Sequence, residues 1–190
     1  MEMKRLTDFS QIETIFNTRM RYDFTENELR PLLSLRRSWD RDEYAGYALM
    51  EGTEMLAYAL FVRNKENYLF DYYAVSKEHR GEGLGSIFLK HLADCFPDAG
   101  CIVGEVEDPD KALTADEREI RERRIKFYLR NGYRETGVKA RVRGADFRIL
   151  EVPTGKLQTM HTDAQILRVY KDLYRSFFPT LWFYTEFKAW

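Results

Sequence analysis

Apolar positions recur with a helical period near the start of the chain. Asp8 and Gln11 have capping-box spacing and lead into Ile12, Ile15, Phe16 and Met20, which predicts a first helix after a short strand around Met3–Leu6. Thr25 and Glu28 repeat the box ahead of Leu29, Leu32, Leu33 and Trp39, which predicts a second helix. From Tyr44 the pattern changes. Tyr44–Met50, Met55–Arg63 and Tyr68–Val75 are aromatic and apolar runs separated by Glu51-Gly52 and by Asn64–Asn67, as expected of three antiparallel strands.

A helical stripe returns at Leu84, Ile87, Phe88, His91, Leu92 and Cys95, stops at Pro97 and Gly100, and gives way to the apolar run Cys101–Val106. Thr114 and Glu117 open a charged helix that reaches Asn131-Gly132, a glycine where a left-handed cap is wanted. Tyr133–Arg143 and Asp146–Val152, turning at Gly144, read as a closing strand pair. Beyond Pro153, Thr162 and Gln165 precede Ile166, Val169, Tyr170, Leu173 and Phe177, an amphipathic helix ended by Pro179. The expected fold class is therefore α/β (α+β), a mixed and mostly antiparallel sheet of about seven strands with helices on both faces and an extra C-terminal helix.

A chain of 190 residues suits one domain, and 44% hydrophobic with 32% charged residues is an ordinary globular balance. Lys plus Arg (30) nearly cancels Asp plus Glu (31), so no overall field draws the protein to nucleic acid or an anionic membrane. Neither a signal-like stretch nor a run near the ~18 apolar residues of a membrane span is present, so a cytosolic protein is expected. Cys95 and Cys101 lack C-x-x-C spacing, and His79, His91 and His161 are dispersed, so no metal is expected.

Between a predicted strand and a predicted helix stands Arg80-Gly-Glu-Gly-Leu-Gly85, where converging backbone amides suit a phosphate. It is not a P-loop, because Ser86 and Ile87 follow instead of Lys-Ser/Thr, and its evenly spaced glycines do not make G-x-G-x-x-G. A plain glycine-rich turn is the other reading of the loop taken alone.

Arg80-x-x-Gly83-x-Gly85, after Asp71-Tyr-Tyr-Ala-Val75 and before an amphipathic helix, resembles motif A of the GCN5-related N-acetyltransferases, and Phe127-Tyr-Leu-Arg-Asn-Gly-Tyr133 resembles that family's second signature. The resemblance covers about residues 2 to 152 and leaves the rest outside. It implies an acyl-CoA fold in which the fourth and fifth strands splay apart and the pantetheine arm lies in the gap. It also implies a core at 1–152 with an extension at 153–190 packed on the same domain. Backbone amides around Arg80, Gly81, Gly83, Gly85 and Ser86 would hold the pyrophosphate of acetyl-CoA, and Val75 would touch the pantetheine.

Transfer of acetyl from a thioester to an amine requires a free amine and a proton for the departing thiolate. Tyr128 matches the family tyrosine proposed as that acid. Gly104-Glu105-Val106 resembles the Leu-Glu-Val of ribosomal-protein amino-terminal acetyltransferases, which implies Glu105 as base through water. Asp71 is a second candidate and Glu107 a third; a carboxylate such as Asp71 in an apolar run needs a partner or a raised pKa. Each group also has a structural reading: Tyr128 as a core tyrosine, Glu105 as an ion-pair partner, Asp71 as a backbone anchor. The chain departs from the family at Arg121, where many members carry asparagine, and at Arg124, a common alanine.

The expected activity is acetyl-CoA-dependent N-acetylation of a small-molecule or peptide amine, against the alternative of a non-catalytic acyl-CoA-binding module. The aromatic segment Leu181–Trp190 is expected to be buried on the domain, with a lid or homodimer contact as the lesser reading.

Overall fold

The computed structural model describes residues 1–152 and 160–190; Pro153, where the extension is expected to begin, lies outside them. The chain divides into two compact units, one of Met1–Arg63 with Asp71–His91, the other of Asn64–Phe70 with Leu92–Trp190.

In the first unit β1 (Glu2–Arg5) pairs antiparallel with β2 (Tyr44–Glu51), β2 with β3 (Glu54–Asn64), and β3 neighbours β4 (Asn67–Val75), whose last five residues belong here. β2 and β3 are buried almost throughout, which is why they read as continuous apolar runs and not as alternating ones. Gly46 permits the close approach of β2: a Cβ there would stand 2.6 Å from Leu6 Cδ1 and 2.8 Å from Leu60 Cδ2.

The first helix is α1 (Phe9–Ile15), closed by the predicted Asp8–Gln11 box and burying Phe9, Ile12 and Ile15. It continues through a π turn, Phe16–Met20, into α2 (Arg21–Asp23). The Thr25–Glu28 box does not open a helix. Thr25 donates its N–H and Oγ1–H to Glu28 Oε2, both at 2.7 Å, but the segment is only a turn, and α3 spans Leu32–Asp40. Pro31 is the reason: it disfavours helical backbone at Arg30, so the helix starts after the proline, without a side-chain cap. α4 (Leu84–Asp94) follows the glycine loop as expected.

In the second unit Asn67–Phe70 of β4 run parallel to Cys101–Gly104 of β5 (Cys101–Glu107). That ladder stops at Phe70 and Gly104, whereas on its other edge β5 pairs antiparallel with β7 (Ala145–Val152) from Ile102↔Val152 to Glu107↔Phe147. β7 pairs with β6 (Arg134–Val142), giving the order β4-β5-β7-β6-β8. The single parallel pair in a mixed, mostly antiparallel set matches the expected fold class. The eighth strand, β8 (Phe187–Ala189), was not foreseen: it is a three-residue edge strand on β6, too short to carry an alternation signal.

α5 (Ala115–Arg130) is capped by Thr114 and packs against β5, and Gly132 adopts φ +87° just past its end. α6 (Asp163–Phe177) carries the predicted Thr162–Gln165 box and packs against β5 and β6, burying Ile166, Tyr170, Leu173 and Tyr174. α7 (Thr180–Thr185) leads to β8. The expected burial of the aromatic tail holds for Phe183 and Phe187 only; Leu181 (71%), Tyr184 (74%) and Trp190 (58%) are exposed, because so short a helix and strand can each turn only one side inward. No helix among the described residues is long and apolar enough to cross a membrane.

Candidate active site

The glycine loop belongs to the first unit. β4 ends at Val75, a single 3₁₀ turn spans Lys77–His79, and α4 begins at Leu84. Between them Gly81 and Gly83 take φ +92° and +81°, left-handed values that suit glycine, and a Cβ on either would meet nothing within 4 Å. The outer side of the loop is thus open backbone.

Side chains fix the loop from inside. Arg80 donates Nε–H to the Val75 carbonyl (3.2 Å) and Nη2–H to Asp23 Oδ1 (3.3 Å), and the buried Asp23 also accepts from the Tyr58 hydroxyl (3.1 Å). His79 sits between Glu54 and Glu82, 3.1 Å from each, and the hydrogen bonds its ring donates to these carboxylates raise its pKa above the ordinary 6.5. Tyr73 donates to the Gly85 carbonyl (2.9 Å) and stacks on Phe88. The amides of Arg80 and Ser86 already have acceptors, the carbonyls of Lys77 (3.4 Å) and Gly83 (3.0 Å). A loop held this way, running into the N-terminus of an 11-residue helix, presents backbone dipoles suited to an anion.

Asp71 lies on β4 in the same unit, and the partner that its apolar surroundings demand is Arg30. Arg30 Nη1 stands 3.0 Å from Asp71 Oδ2, with both side chains about nine-tenths buried. The Tyr44 hydroxyl donates to the same oxygen at 2.7 Å, and Arg30 Nη2 reaches Ser34 (3.2 Å) and Ser38 (3.0 Å). Burial, then the charge of Asp71, pushes the Tyr44 phenol far above its ordinary range, so it remains a donor. Tyr72 completes the cluster, accepting from the Arg30 amide (2.7 Å) and donating to the Glu28 carbonyl (3.1 Å).

Glu105, Glu107 and Tyr128 belong to the second unit. Glu105, partly buried on β5, pairs with Ile149 of β7. Its Oε1 accepts from two phenols of α6, Tyr170 and Tyr174, the latter at 2.6 Å. Tyr170 is fully buried, and burial followed by the Glu105 charge holds its proton firmly in place. Glu107 pairs with Arg121 (2.9 Å) and Arg124 (3.2 Å), and Arg121 also donates to the Asp108 carbonyl (3.1 Å). The two arginines that depart from the family pattern thus brace the end of β5. Asp108 is itself buried between Lys139 (3.0 Å) and Arg148 (2.8 Å).

Tyr128, in the last turn of α5, packs on Phe127 and Tyr133 with ring centroids 5.3 and 5.2 Å away. Burial pushes its phenol up to about 12, with Arg124 opposing, so it carries its proton at neutral pH as an acid must. His161 is less isolated than its sequence position suggests: ligand-type atoms of Cys101, Glu151 and His161 lie within 4.8 Å of one another. The carboxylate is already engaged, however. Glu151 Oε2 accepts from Arg134 (2.6 and 3.0 Å), and Oε1 from the His161 amide (3.1 Å) with His161 Nδ1 at 2.7 Å. Burial, with the charge of Glu151 adding, pushes the Cys101 thiol up to about 12. The cluster is a buried ion-pair knot whose thiol holds its proton.

The expected site residues therefore fall in two sets, with Asp71, Val75, Arg80, Gly81, Gly83, Gly85 and Ser86 in the first unit and Glu105 and Tyr128 in the second. Sequence reading missed Arg30, Tyr44 and Tyr174, and took Tyr170 for core alone. Tyrosines four residues apart on the buried stripe of α6 were the available signal, since two buried hydroxyls need an acceptor.

Residues 9–133 match the acetyltransferase (GNAT) family model. No curated protein matches the sequence. Among solved structures the chain resembles a GNAT-family protein from Bacteroides thetaiotaomicron (21% identity, 96% of this chain and 98% of that one, TM-score 0.67). It also resembles the ribosomal-protein-S18-alanine N-acetyltransferase of Escherichia coli (16%, 84% and 99%, 0.57) and an aminoglycoside 6'-N-acetyltransferase complexed with coenzyme A (13%, 80% and 98%, 0.56). At these identities the structures speak for the fold, and the family match spans well over half of the chain. With that match and that fold, the chain belongs to the GNAT acetyltransferase family and is an enzyme of the N-acetyltransferase class.

Proposed function

We propose that this enzyme binds acetyl-CoA through the loop Arg80–Ser86 and transfers the acetyl group directly to a primary amine. The observation that carries this reading is the loop itself, two left-handed glycines with open space where a Cβ would stand, leading straight into a helix. The amine nitrogen attacks the thioester carbonyl, the N–C bond forms and the C–S bond breaks. The substrate ammonium first gives one proton through water to Glu105, which passes it to solvent; as the C–S bond breaks the nitrogen sheds its second proton by the same route, the leaving thiolate takes the phenolic proton of Tyr128, and the phenolate is reprotonated, so that one proton is released overall. Products are the amide and free CoA.

Tyr128 suits the acid because it is protonated at neutral pH. Glu105 suits the base better than Asp71, which is neutralised by Arg30, or Glu107, which is paired with two arginines. Solved structures of the same fold are named for aminoglycoside, spermidine and ribosomal-protein alanine acetylation, so kanamycin, spermidine and an Ala-initiated peptide are the first acceptors to try. The net charge of −1 fits an acceptor recognised locally, without nucleic acid.

The test is CoA-thiol release from acetyl-CoA with and without each amine. Amine-dependent release that falls at least 100-fold in Glu105→Gln and in Tyr128→Phe supports the assignment. Unchanged turnover in both variants overturns the roles, and slow thioester hydrolysis that no amine stimulates favours the non-catalytic acyl-CoA module.

A further inference from the structure

The C-terminal helix α6 lies outside the residues that match the family model, yet two of its side chains end on the carboxylate assigned as base. We propose that Tyr170 and Tyr174 are positioning residues for Glu105, fixing its rotamer and holding it ionised between turnovers; this rests on the reading of Glu105 as the base.

The geometry is specific. Residues i and i+4 on a helix face the same way, and here both hydroxyls converge on one oxygen, Oε1. A carboxylate oxygen offers two lone pairs, and two phenol donors fill them. A proton reaching Oε1 would have to displace a phenol, and the two donors together fix which way the carboxylate points. Hydrogen bonds to the charged form favour that form, which opposes the cost of burying a carboxylate.

The phenols are themselves held. Tyr170 and Tyr174 pack edge to face at 5.0 Å, and Phe187 of β8 lies 5.4 Å from the first ring and stacks on the second at 4.3 Å. Phe177 and Phe178 flank Tyr174 at 5.1 and 5.5 Å. The aromatic tail thus orders the two donors, which gives the segment beyond residue 160 a role in the chemistry.

Several charged groups on the elements packed against β5 are held in ion pairs of their own. Arg121 and Arg124 of α5 are on Glu107; Arg148 of β7 is on Asp108, Asp110 and Glu135; Glu151 of β7 is on Arg134 and His161; Asp172 of α6 is on Arg175. Tyr128 of α5 is neutral at working pH. Removal of either phenol would be felt directly at Glu105 Oε1.

The test compares the wild type, Tyr170→Phe, Tyr174→Phe and Glu105→Gln, each checked for folding by thermal melting. The pH profile of kcat/KM is measured with whichever of kanamycin, spermidine or the Ala-initiated peptide is acetylated. Loss of a donor to the ionised carboxylate raises the pKa of the base, so the acidic limb moves to higher pH, by about one unit per phenol. kcat falls while KM for acetyl-CoA stays within about twofold. A purely structural role would lower the melting temperature and leave the limb in place.

Independently of any acceptor, the carboxyl carbon of Glu105 is titrated by ¹³C NMR, assigned through Glu105→Gln. A midpoint that rises in each Phe variant supports the proposal, and an unmoved midpoint overturns it. Loss of turnover in Glu105→Gln with an unmoved limb in both Phe variants overturns the positioning role and leaves the base standing. Full turnover in Glu105→Gln overturns both.

Discussion

Replacing Asp71 with Asn separates a structural carboxylate from a catalytic one. The Asp71–Arg30 contact is 3.0 Å long and each side chain is only about 11–12% exposed, so solvent screens it little. Removing one partner of a buried pair costs ~3–5 kcal/mol, because the other charge stays behind. Ser34 and Ser38 still accept from Arg30, and the new amide oxygen can accept from Tyr44, which places the cost near the lower end, at about 3 kcal/mol. Unfolding entropy near 2.1 cal/mol/K per residue gives about 0.4 kcal/mol/K for this chain, so the melting temperature should fall by about 8 °C. Calorimetric melting measures that drop, and turnover is then assayed well below both transitions. The expected outcome is a folded Asp71→Asn enzyme with kcat within a fewfold of wild type. An unchanged melting temperature with kcat reduced 100-fold or more would refute the structural role and make Asp71 the base.

Three further outcomes are expected. Gly83→Ala places a methyl in open space but forces an L-residue to φ +81°, so the free protein should lose about 1–2 kcal/mol by denaturant titration, and its affinity for acetyl-CoA should fall further because the methyl stands on the open side of the loop. His79 has a folded pKa above its ordinary 6.5, so its stabilisation is full below that value and is lost as pH rises through the raised one; the melting-temperature gap between wild type and His79→Gln should be widest below pH 6.5 and shrink as pH rises above it. Glu151→Gln leaves Arg134 and His161 facing a neutral amide and should cost ~3 kcal/mol by the same denaturant assay, with acetyl-CoA affinity unchanged.

What could be read from the sequence was local. The Asp8–Gln11 and Thr162–Gln165 boxes each lie within four residues and close as expected, because capping depends on groups in one helical turn. The glycine loop, its flanking strand and its helix are likewise contiguous. Thr25–Glu28 shows the limit: Glu28 accepts the Thr25 N–H as in a box, but Thr25 Oγ1 donates to the same carboxylate instead of accepting from the Glu28 amide, and Pro31 moves the helix start downstream. Partners set by tertiary structure were not legible. Asp71 meets Arg30 across 41 residues of chain, and Glu105 meets Tyr170 and Tyr174 across 65 and 69. Nothing in the local pattern around a carboxylate says which distant donor the sheet will bring to it, so the need for a partner could be foreseen and its identity could not. β8 escaped for a related reason, since three residues become a strand only when β6 offers an edge.

Acetyl-CoA binding at the glycine loop is the claim on which the rest depends, and calorimetric titration of the purified protein with acetyl-CoA, free CoA and ATP tests it most directly, repeated on Gly83→Trp with its fold checked by melting. Micromolar binding of the two CoA species, none of ATP, and loss of CoA binding in the folded variant are the expected results. A folded wild-type protein that binds no CoA species, or a variant that binds as tightly as wild type, would contradict it.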